Sequence, residues 1–233
     1  VNYTFIVEKQ VQKNHSDSSK ETKNSWWHSF FDTWGPLSLT VLLYVGIRYF
    51  IAEARYIPSG SMLPGLKVND RLIVEKLSLR NRSPSRGEIV VFNSPYSFDK
   101  ELIANRKKQL PSQFQCSLIT FPLISWIPTL SDRACDAYIK RVVAVEGDRL
   151  LINSNGEVVL NGRLINEPYV EYFCSSQPKF NLCRPMNTII PKGHVFVLGD
   201  NRANSWDSRF WPAGGFLPHR EIIGKASWRF WPI

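Results

Sequence analysis

A short stretch around Ser61 has the residue types and spacing for nucleophilic catalysis. In the run Pro58-Ser59-Gly60-Ser61-Met62 two serines flank a glycine, and Pro64 closes the stretch on its far side. Glycine permits backbone angles that a side chain forbids, and proline stiffens the chain. Such a turn can hold one hydroxyl rigidly and direct a backbone N–H at the group which that hydroxyl attacks. A plain Ser/Gly/Pro loop is the alternative interpretation.

A serine hydroxyl is a poor nucleophile at neutral pH and needs a base within hydrogen-bond reach. Histidine is the usual base, and the chain has His15, His28, His194 and His219. His15 and His28 precede an apolar segment, so they cannot easily reach Ser61. The sequence contains neither a Gly-x-Ser-x-Gly nor a His-Glu-x-x-His motif. We therefore do not expect a Ser-His-Asp site.

Lysine can serve as the base if its amine is neutral. Lys140 lies in the run Tyr138-Ile139-Lys140-Arg141-Val142, whose alternation places Lys140 and Val142 on one side of a strand. Burial would lower the lysine pKa from its reference value of about 10.4. An edge-strand lysine that limits aggregation is the other interpretation.

Three segments, in this order, resemble the motifs of type I signal peptidases. Pro58–Met62 resembles the nucleophile motif, and Tyr138–Arg141 resembles the lysine motif. The last motif is matched by Gly199, Asp200, Asn201 and Arg202, running on to Ser205, Asp207, Ser208 and Arg209. Ala203 departs from the family, which often has aspartate there. The resemblance covers the apolar segment to the C-terminus, but neither the N-terminal tail nor the middle insertion.

This resemblance implies a serine endopeptidase with no metal and no cofactor, which removes signal peptides from exported preproteins after Ala-X-Ala. Ser61 would attack the scissile carbonyl. Lys140 would take the proton of Ser61 and later activate the water that clears the acyl-enzyme. The backbone N–H of Ser61 and the hydroxyl of Ser59 would stabilise the oxyanion.

The resemblance also implies supporting and substrate-binding residues. Ser205 would hydrogen-bond the lysine amine, and Asp207 and Arg209 would form a nearby pair. A small apolar pocket that selects residues such as alanine would be lined by Ile57, Met62, Leu66, Tyr138 and Ile139.

The elements that must position these residues are mostly short strands. The runs with strand character are 71–75, 88–92, 139–146, 149–152, 158–160, 195–198 and 226–230. Asn155-Gly156 and Asn161-Gly162 are tight-turn signals between such runs. We predict a mostly β fold, an antiparallel β-rich Ser-Lys peptidase domain over 55–233. An insertion at about 97–137 shows little regular pattern, and its apolar half suggests a packed flap or a membrane-contacting surface.

The first part of the chain predicts a membrane anchor. Residues 1–24 are polar and read as a flexible tail. Within the anchor, 25–54, residues 34–52 are apolar and reach the length that one transmembrane helix needs. A signal peptide and an interfacial amphipathic helix are the alternatives. Lysines in the tail favour a cytoplasmic N-terminus. The catalytic domain would then lie on the extracytoplasmic or lumenal side of the plasma membrane or thylakoid membrane.

Composition sets further limits. The formal net charge is +9 over 233 residues, but the basic residues are spread along the chain, so we expect no nucleic-acid partner. Signal peptides of preproteins and the lipid bilayer are the expected partners. In an oxidising compartment the simplest disulfides are Cys116–Cys135 and Cys174–Cys183. Other connectivities and free buried thiols remain open.

Two competing functions fit part of the pattern. The self-cleaving domain of SOS-type repressors also pairs a Ser-Met turn with a lysine on a β-strand, but a DNA-binding domain would precede it. A membrane-anchored β-domain that only binds a partner would leave the three ordered motifs unexplained.

Overall fold

The computed structural model describes residues 32, 34–112, 114–116, 132–171 and 184–232. It divides into two compact units, Val1–Phe50 and Ile51–Ile233. In the first unit, residues 34–50 form helix α1. No helix among the described residues has both the length and the apolar character needed to cross a membrane. The predicted tail, 1–24, lies outside the described residues.

The second unit is built from antiparallel strands, as the sequence predicted. The strands are β1 (Ala52–Tyr56), β2 (Arg71–Glu75), β3 (Ile89–Asn93), β4 (Ala137–Val145), β5 (Arg149–Ile152), β6 (Val158–Leu160), β7 (Arg163–Leu164), β8 (Met186–Ile189), β9 (His194–Leu198), β10 (Leu217–Pro218) and β11 (Ile222–Trp231). A seven-stranded sheet has the order β1-β2-β11-β3-β4-β9-β10, and a four-stranded sheet has the order β7-β6-β5-β8.

Strand β1 changes the predicted boundary between the two parts of the chain. The helical residues of α1 end at 50, short of the predicted 52, and β1 begins at Ala52. This strand pairs with β2 along its length, from Ala52 opposite Glu75 to Tyr56 opposite Arg71. Hydrogen-bonded pairing with β2 therefore places in a strand residues that the hydropathy pattern assigned to the anchor.

The predicted tight turns are present. Asn161 and Gly162 have φ values of 51° and 83°, and they join β6 to β7 with Leu160 opposite Arg163. Two consecutive positive φ values are the geometry that matches the twist of a hairpin, and Asn-Gly adopts it at low cost. Gly156, with φ 82°, lies in the connection from β5 to β6.

Strand β4 is the central element for the site. It pairs with β3, where Val90 lies opposite Lys140, and with β9, where Leu198 lies opposite Arg141. Because Leu198 is the last residue of β9, the chain leaves that strand at Gly199, directly beside the lysine. The sheet thus brings the second and third sequence motifs together.

The insertion contains more regular structure than the sequence indicated. Helices α2 (Pro95–Phe98) and α3 (Lys100–Ala104) begin at side-chain caps. The Asp99 carboxylate accepts hydrogen bonds from the first backbone N–H groups of α3, which otherwise lack partners. A disulfide joins Cys116 to Cys135, one of the two expected pairs. Cys174, Cys183 and the apolar part at 118–130 lie outside the described residues.

Candidate active site

The Ser61 turn is a single 3-10 turn, Gly60–Met62, that follows β1. The side chains of Ile57 and Met62, which are 2% and 0% exposed, anchor the turn in the hydrophobic core. Ser61 is itself buried at 8% exposure. The first N–H groups of a helical turn have no partner within it, and the Ser59 side chain does not cap this turn. The turn therefore presents a hydroxyl and a backbone donor together.

Lys140 meets this turn. Its Nζ lies 2.7 Å from Ser61 Oγ and 3.0 Å from the Ile139 carbonyl oxygen. The side chain is only 4% exposed, and burial lowers the pKa of Lys140 to about 8, against the opposing attraction of the Asp207 and Asp200 carboxylates. A neutral fraction therefore exists near neutral pH. In that form the Ser61 hydroxyl donates to Nζ, which is the arrangement that general-base catalysis requires.

Ser59 lies at the mouth of the turn. Its Oγ is 3.4 Å from Ser61 Oγ, at the limit of a hydrogen bond, and the residue is exposed. The hydroxyl can thus rotate toward an oxygen that develops negative charge next to Ser61.

The segment after β9 holds the turn from the other side. Asn201 donates its backbone N–H to the Ser61 carbonyl at 3.1 Å and its side-chain amide to the Gly60 carbonyl at 3.2 Å. Gly199 has no space for a side chain, because a Cβ there would collide with Ser205 and with the Ser61 carbonyl oxygen. The backbone of the third motif is therefore packed directly against the nucleophile turn.

Asp207 and Arg209 form an ion pair with no exposed surface, with Arg209 Nε 2.8 Å from Asp207 Oδ1. Burial opposes the charge on Asp207, but Arg209 and the Gly199 N–H together lower the pKa of this carboxyl. Asp207 Oδ2 accepts the Gly199 N–H at 3.0 Å. The pair therefore anchors the residue at which the chain leaves β9.

Ser205 differs from the sequence expectation. The structure does not show the predicted hydrogen bond to the Lys140 amine: Nζ bonds Ser61 and the Ile139 carbonyl. The Ser205 hydroxyl is buried beside the Asp207 carboxylate and helps to lower the pKa of that carboxyl. The 3-10 turn at Arg202–Asn204 precedes Ser205 and sets its direction. The Ser205 hydroxyl occupies the space that a Cβ at residue 199 would need.

The predicted pocket residues divide between two clusters. Ile57, Met62, Leu66 and Ile139 belong to one buried cluster beneath the Ser61 turn. Tyr138 packs in another cluster, with its ring 6.2 Å from that of Phe92 and 5.9 Å from that of Trp206. Strand alternation explains the division, because Tyr138 and Ile139 are neighbours on β4 and their side chains point to opposite faces.

The structure also places two histidines. His194 begins β9, at the opposite end of that strand from Gly199, and His219 donates its backbone N–H to the neighbouring Gly193 carbonyl. His15 and His28 lie outside the described residues. Among the described side chains, Lys140 is the base within reach of the Ser61 hydroxyl.

Two residues near the site were not found by sequence reasoning. Glu167 pairs with Arg202 through bonds of 2.9 and 2.5 Å, and Tyr169 stacks on Arg141 with 3.9 Å between the guanidinium carbon and the ring centre. Neither residue belongs to a motif. The available signal was indirect: an arginine in the third motif needs a partner if it is buried.

Comparison with known proteins matches residues 31–231 to the model of the family described as signal peptidase, peptidase S26. This chain belongs to that family. It is therefore a serine endopeptidase and not a domain that only binds, and the matched family is that of the signal peptidases, not that of the SOS-type repressors. A probable signal peptidase I-2 of Synechocystis sp. is 39% identical over 231 residues, which cover 98% of this chain and 84% of the relative.

Two further relatives are of the same kind. Signal peptidase I of Leptolyngbya laminosa is 39% identical over 197 residues, 84% of this chain and 77% of the relative. Thylakoidal processing peptidase 1, chloroplastic, of Arabidopsis thaliana is 34% identical over 185 residues. That match covers 79% of this chain and 44% of the relative.

Proposed function

We propose that this protein removes N-terminal signal peptides from exported preproteins by cleaving after Ala-X-Ala, with Ser61 as nucleophile and Lys140 as general base. The observation that carries the proposal is the 2.7 Å contact between Lys140 Nζ and Ser61 Oγ in a buried environment. The names of the relatives, signal peptidase I and thylakoidal processing peptidase, support the substrate class.

The proposed reaction uses this geometry. Neutral Lys140 accepts the Ser61 proton as Oγ attacks the scissile carbonyl. The Ser61 N–H and the Ser59 hydroxyl stabilise the oxyanion, and the protonated lysine then donates its proton to the leaving amine. A water molecule, deprotonated by the same lysine, hydrolyses the ester that links Ser61 to the signal peptide and restores the hydroxyl.

The proposed preference for small residues is supported by the apolar character of the packing beneath the turn. Ile57, Met62, Leu66 and Ile139 belong to one buried apolar cluster there. We expect alanine next to the cut to be accepted beside this cluster, and leucine or lysine to be rejected.

The proposed location is a membrane that exported proteins cross. The apolar run 34–52, of which residues 34–50 form α1, would anchor the chain at the plasma membrane or thylakoid membrane, with the catalytic unit on the extracytoplasmic or lumenal side. Preprotein signal peptides and the bilayer would be its partners.

Cleavage of a preprotein with one Ala-X-Ala site, by detergent-solubilised protein, tests this proposal. The wild type is run beside Ser61→Ala and Lys140→Met, and a second preprotein carries leucine in place of the alanine that precedes the cut. Circular dichroism and a thermal melt check that both variants fold.

We expect the wild type to cut after the second alanine, and both folded variants and the leucine substrate to give no product. Cleavage by either variant at the wild-type rate would remove the Ser61/Lys140 assignment. Equal cleavage of both substrates would remove the proposed specificity.

A further inference from the structure

A buried cluster of charges adjoins the nucleophile turn. Arg202 is 1% exposed and binds Glu167 with two of its nitrogens. The same guanidinium donates to the Gly199 carbonyl at 3.2 Å and to the Gly156 carbonyl at 3.0 Å. Arg202 therefore ties Glu167, from the region after β7, to the residue that packs against Ser61.

Tyr169 extends this cluster to the strand that carries Lys140. Its hydroxyl donates to Glu167 at 2.9 Å, and its ring covers the Arg141 guanidinium. Burial and the Glu167 charge raise the pKa of Tyr169, so the phenol keeps its proton. Arg141 in turn binds Asp200 with bonds of 2.8 and 2.6 Å. Arg141 directly follows Lys140, and Asp200 directly precedes Asn201.

The backbone of residues 200–202 closes these contacts into a ring of Arg202, Glu167, Tyr169, Arg141 and Asp200. The charges of its two arginines and two carboxylates balance. One side of the ring holds Gly199 through Arg202, and the other holds the Lys140 strand through Arg141. Asn201 then connects the ring to the Ser61 and Gly60 carbonyls. The two reacting side chains come from different elements, and the ring is attached to both.

We propose that Glu167 and Tyr169 are positioning residues that keep Ser61 Oγ in line with Lys140 Nζ. They touch neither reacting atom and act through Arg202 and Arg141. The inference rests on the proposed function, because it concerns the geometry of the same nucleophile and base. Misplacement of reacting groups by about 1 Å can cost on the order of 100-fold in rate.

The test uses substitutions at Tyr169 that leave no buried charge unpaired. Tyr169→Leu removes the ring from Arg141 and the hydroxyl from Glu167, whereas Tyr169→Phe keeps the ring. Tyr56→Leu, at a tyrosine with 65% exposure in the same unit, is the matched control. Each variant is assayed on the Ala-X-Ala preprotein for kcat, KM and the pH profile of kcat, with a thermal melt.

We expect Tyr169→Leu to lower kcat about tenfold to a hundredfold with KM within about twofold. We expect Tyr169→Phe to keep most of the wild-type kcat, and Tyr56→Leu to leave kcat unchanged. The acid side of the kcat profile moves to higher pH in Tyr169→Leu. A loosened site admits water to Lys140, whose charged neighbours Asp207, Asp200 and Arg209 stay in place.

Glu167→Gln is a second test of the positioning role. Its control is Asp132→Asn, because Asp132 also binds an arginine, Arg106, through both carboxylate oxygens. We expect kcat to fall only in the Glu167 variant. A lower melting temperature with wild-type kcat and pH profile in the Tyr169 and Glu167 variants would overturn the positioning role. Activity in Ser61→Ala or Lys140→Met would instead refute the proposed function itself.

Discussion

At the residue scale, the site depends on a lysine that the fold keeps partly neutral. The pKa of Lys140 is lowered from 10.5 to about 8 by burial, which corresponds to a cost of about 3 kcal/mol for holding the charged form inside the protein. The enzyme thus gives up stability at the position of its proposed base. The attraction of the Asp207 and Asp200 carboxylates offsets only part of the penalty of burial.

Replacement of this lysine by an apolar side chain should stabilise the fold while it removes activity. The folded pKa of Lys140 lies below the unfolded value, so the unfolded chain binds more protons between about pH 8 and 10.5. The penalty is complete below about pH 8 and disappears as the pH rises through that window. We expect Lys140→Met to raise the free energy of unfolding by about 1–3 kcal/mol at pH 7.

Urea unfolding of the wild type and the variant at several pH values measures this difference. Lys192→Met, at an exposed lysine, is the control and should change little. A Lys140 variant that is less stable than the wild type at pH 7 would contradict a strained, desolvated amine.

Ser59 gives a second prediction at this scale. Its hydroxyl does not cap the Ser61 turn, so its removal should leave the ground state intact and cost only oxyanion stabilisation. We expect Ser59→Ala to lower kcat by about 100- to 1000-fold with little change in KM. Steady-state kinetics on the preprotein measures both constants. A loss confined to KM would show that Ser59 binds substrate instead.

At the scale of elements, adjacency of strands builds the site. β9 lies beside β4, so the chain that leaves β9 at Gly199 returns over the Ser61 turn. The sequence contained the β-branched runs that predict the strands of both sheets, and the two Asn-Gly turns that predict the hairpins of the four-stranded sheet. It did not indicate β1, whose Ala-Glu-Ala-Arg-Tyr sequence has low strand propensity and is ordered by pairing with β2.

Gly199 tests the close approach of these elements. A Cβ at this position would collide with the Ser61 carbonyl oxygen, and backbone cannot yield as a side-chain tip can. We expect Gly199→Ala to lower kcat by about 100-fold or more by displacing the turn. At Gly46, in helix α1, no atom lies within 4 Å of the added carbon. Gly46→Ala is therefore the control, and the assay is cleavage of the preprotein. Similar activity in the two variants would refute the tight contact.

At the scale of the whole molecule, the resemblance of three motifs to a known family predicted that Ser61 and Lys140 would meet, and Ser61 Oγ lies 2.7 Å from Lys140 Nζ. The ring of Arg202, Glu167, Tyr169, Arg141 and Asp200 was not predictable, because it joins segments that are close only after both sheets have formed. The hydrogen-bond partner of the Ser205 hydroxyl was not predictable for a related reason, because sequence spacing does not say which way a side chain points in a buried loop.

The disulfide gives a prediction for the molecule as a whole. Cys116 and Cys135 close a loop with a sequence separation of 19, which constrains the unfolded chain. We expect Cys116→Ser/Cys135→Ser to lower the free energy of unfolding by about 3 kcal/mol. The β3 and β9 ladders still hold β4, so kcat should stay within about twofold. Chemical denaturation measures the free energy of unfolding, and the cleavage assay measures kcat. An unchanged free energy of unfolding would show that the disulfide does not stabilise the fold.

The pH dependence of Ser61 acylation in a single turnover tests the account most directly, because it reports the protonation state of the proposed base. With a buried lysine whose pKa is about 8, the acylation rate should rise with pH through a midpoint near that value. A rate that is flat across this range, or a midpoint near about 6.5 as expected for histidine, would contradict Lys140 as the base.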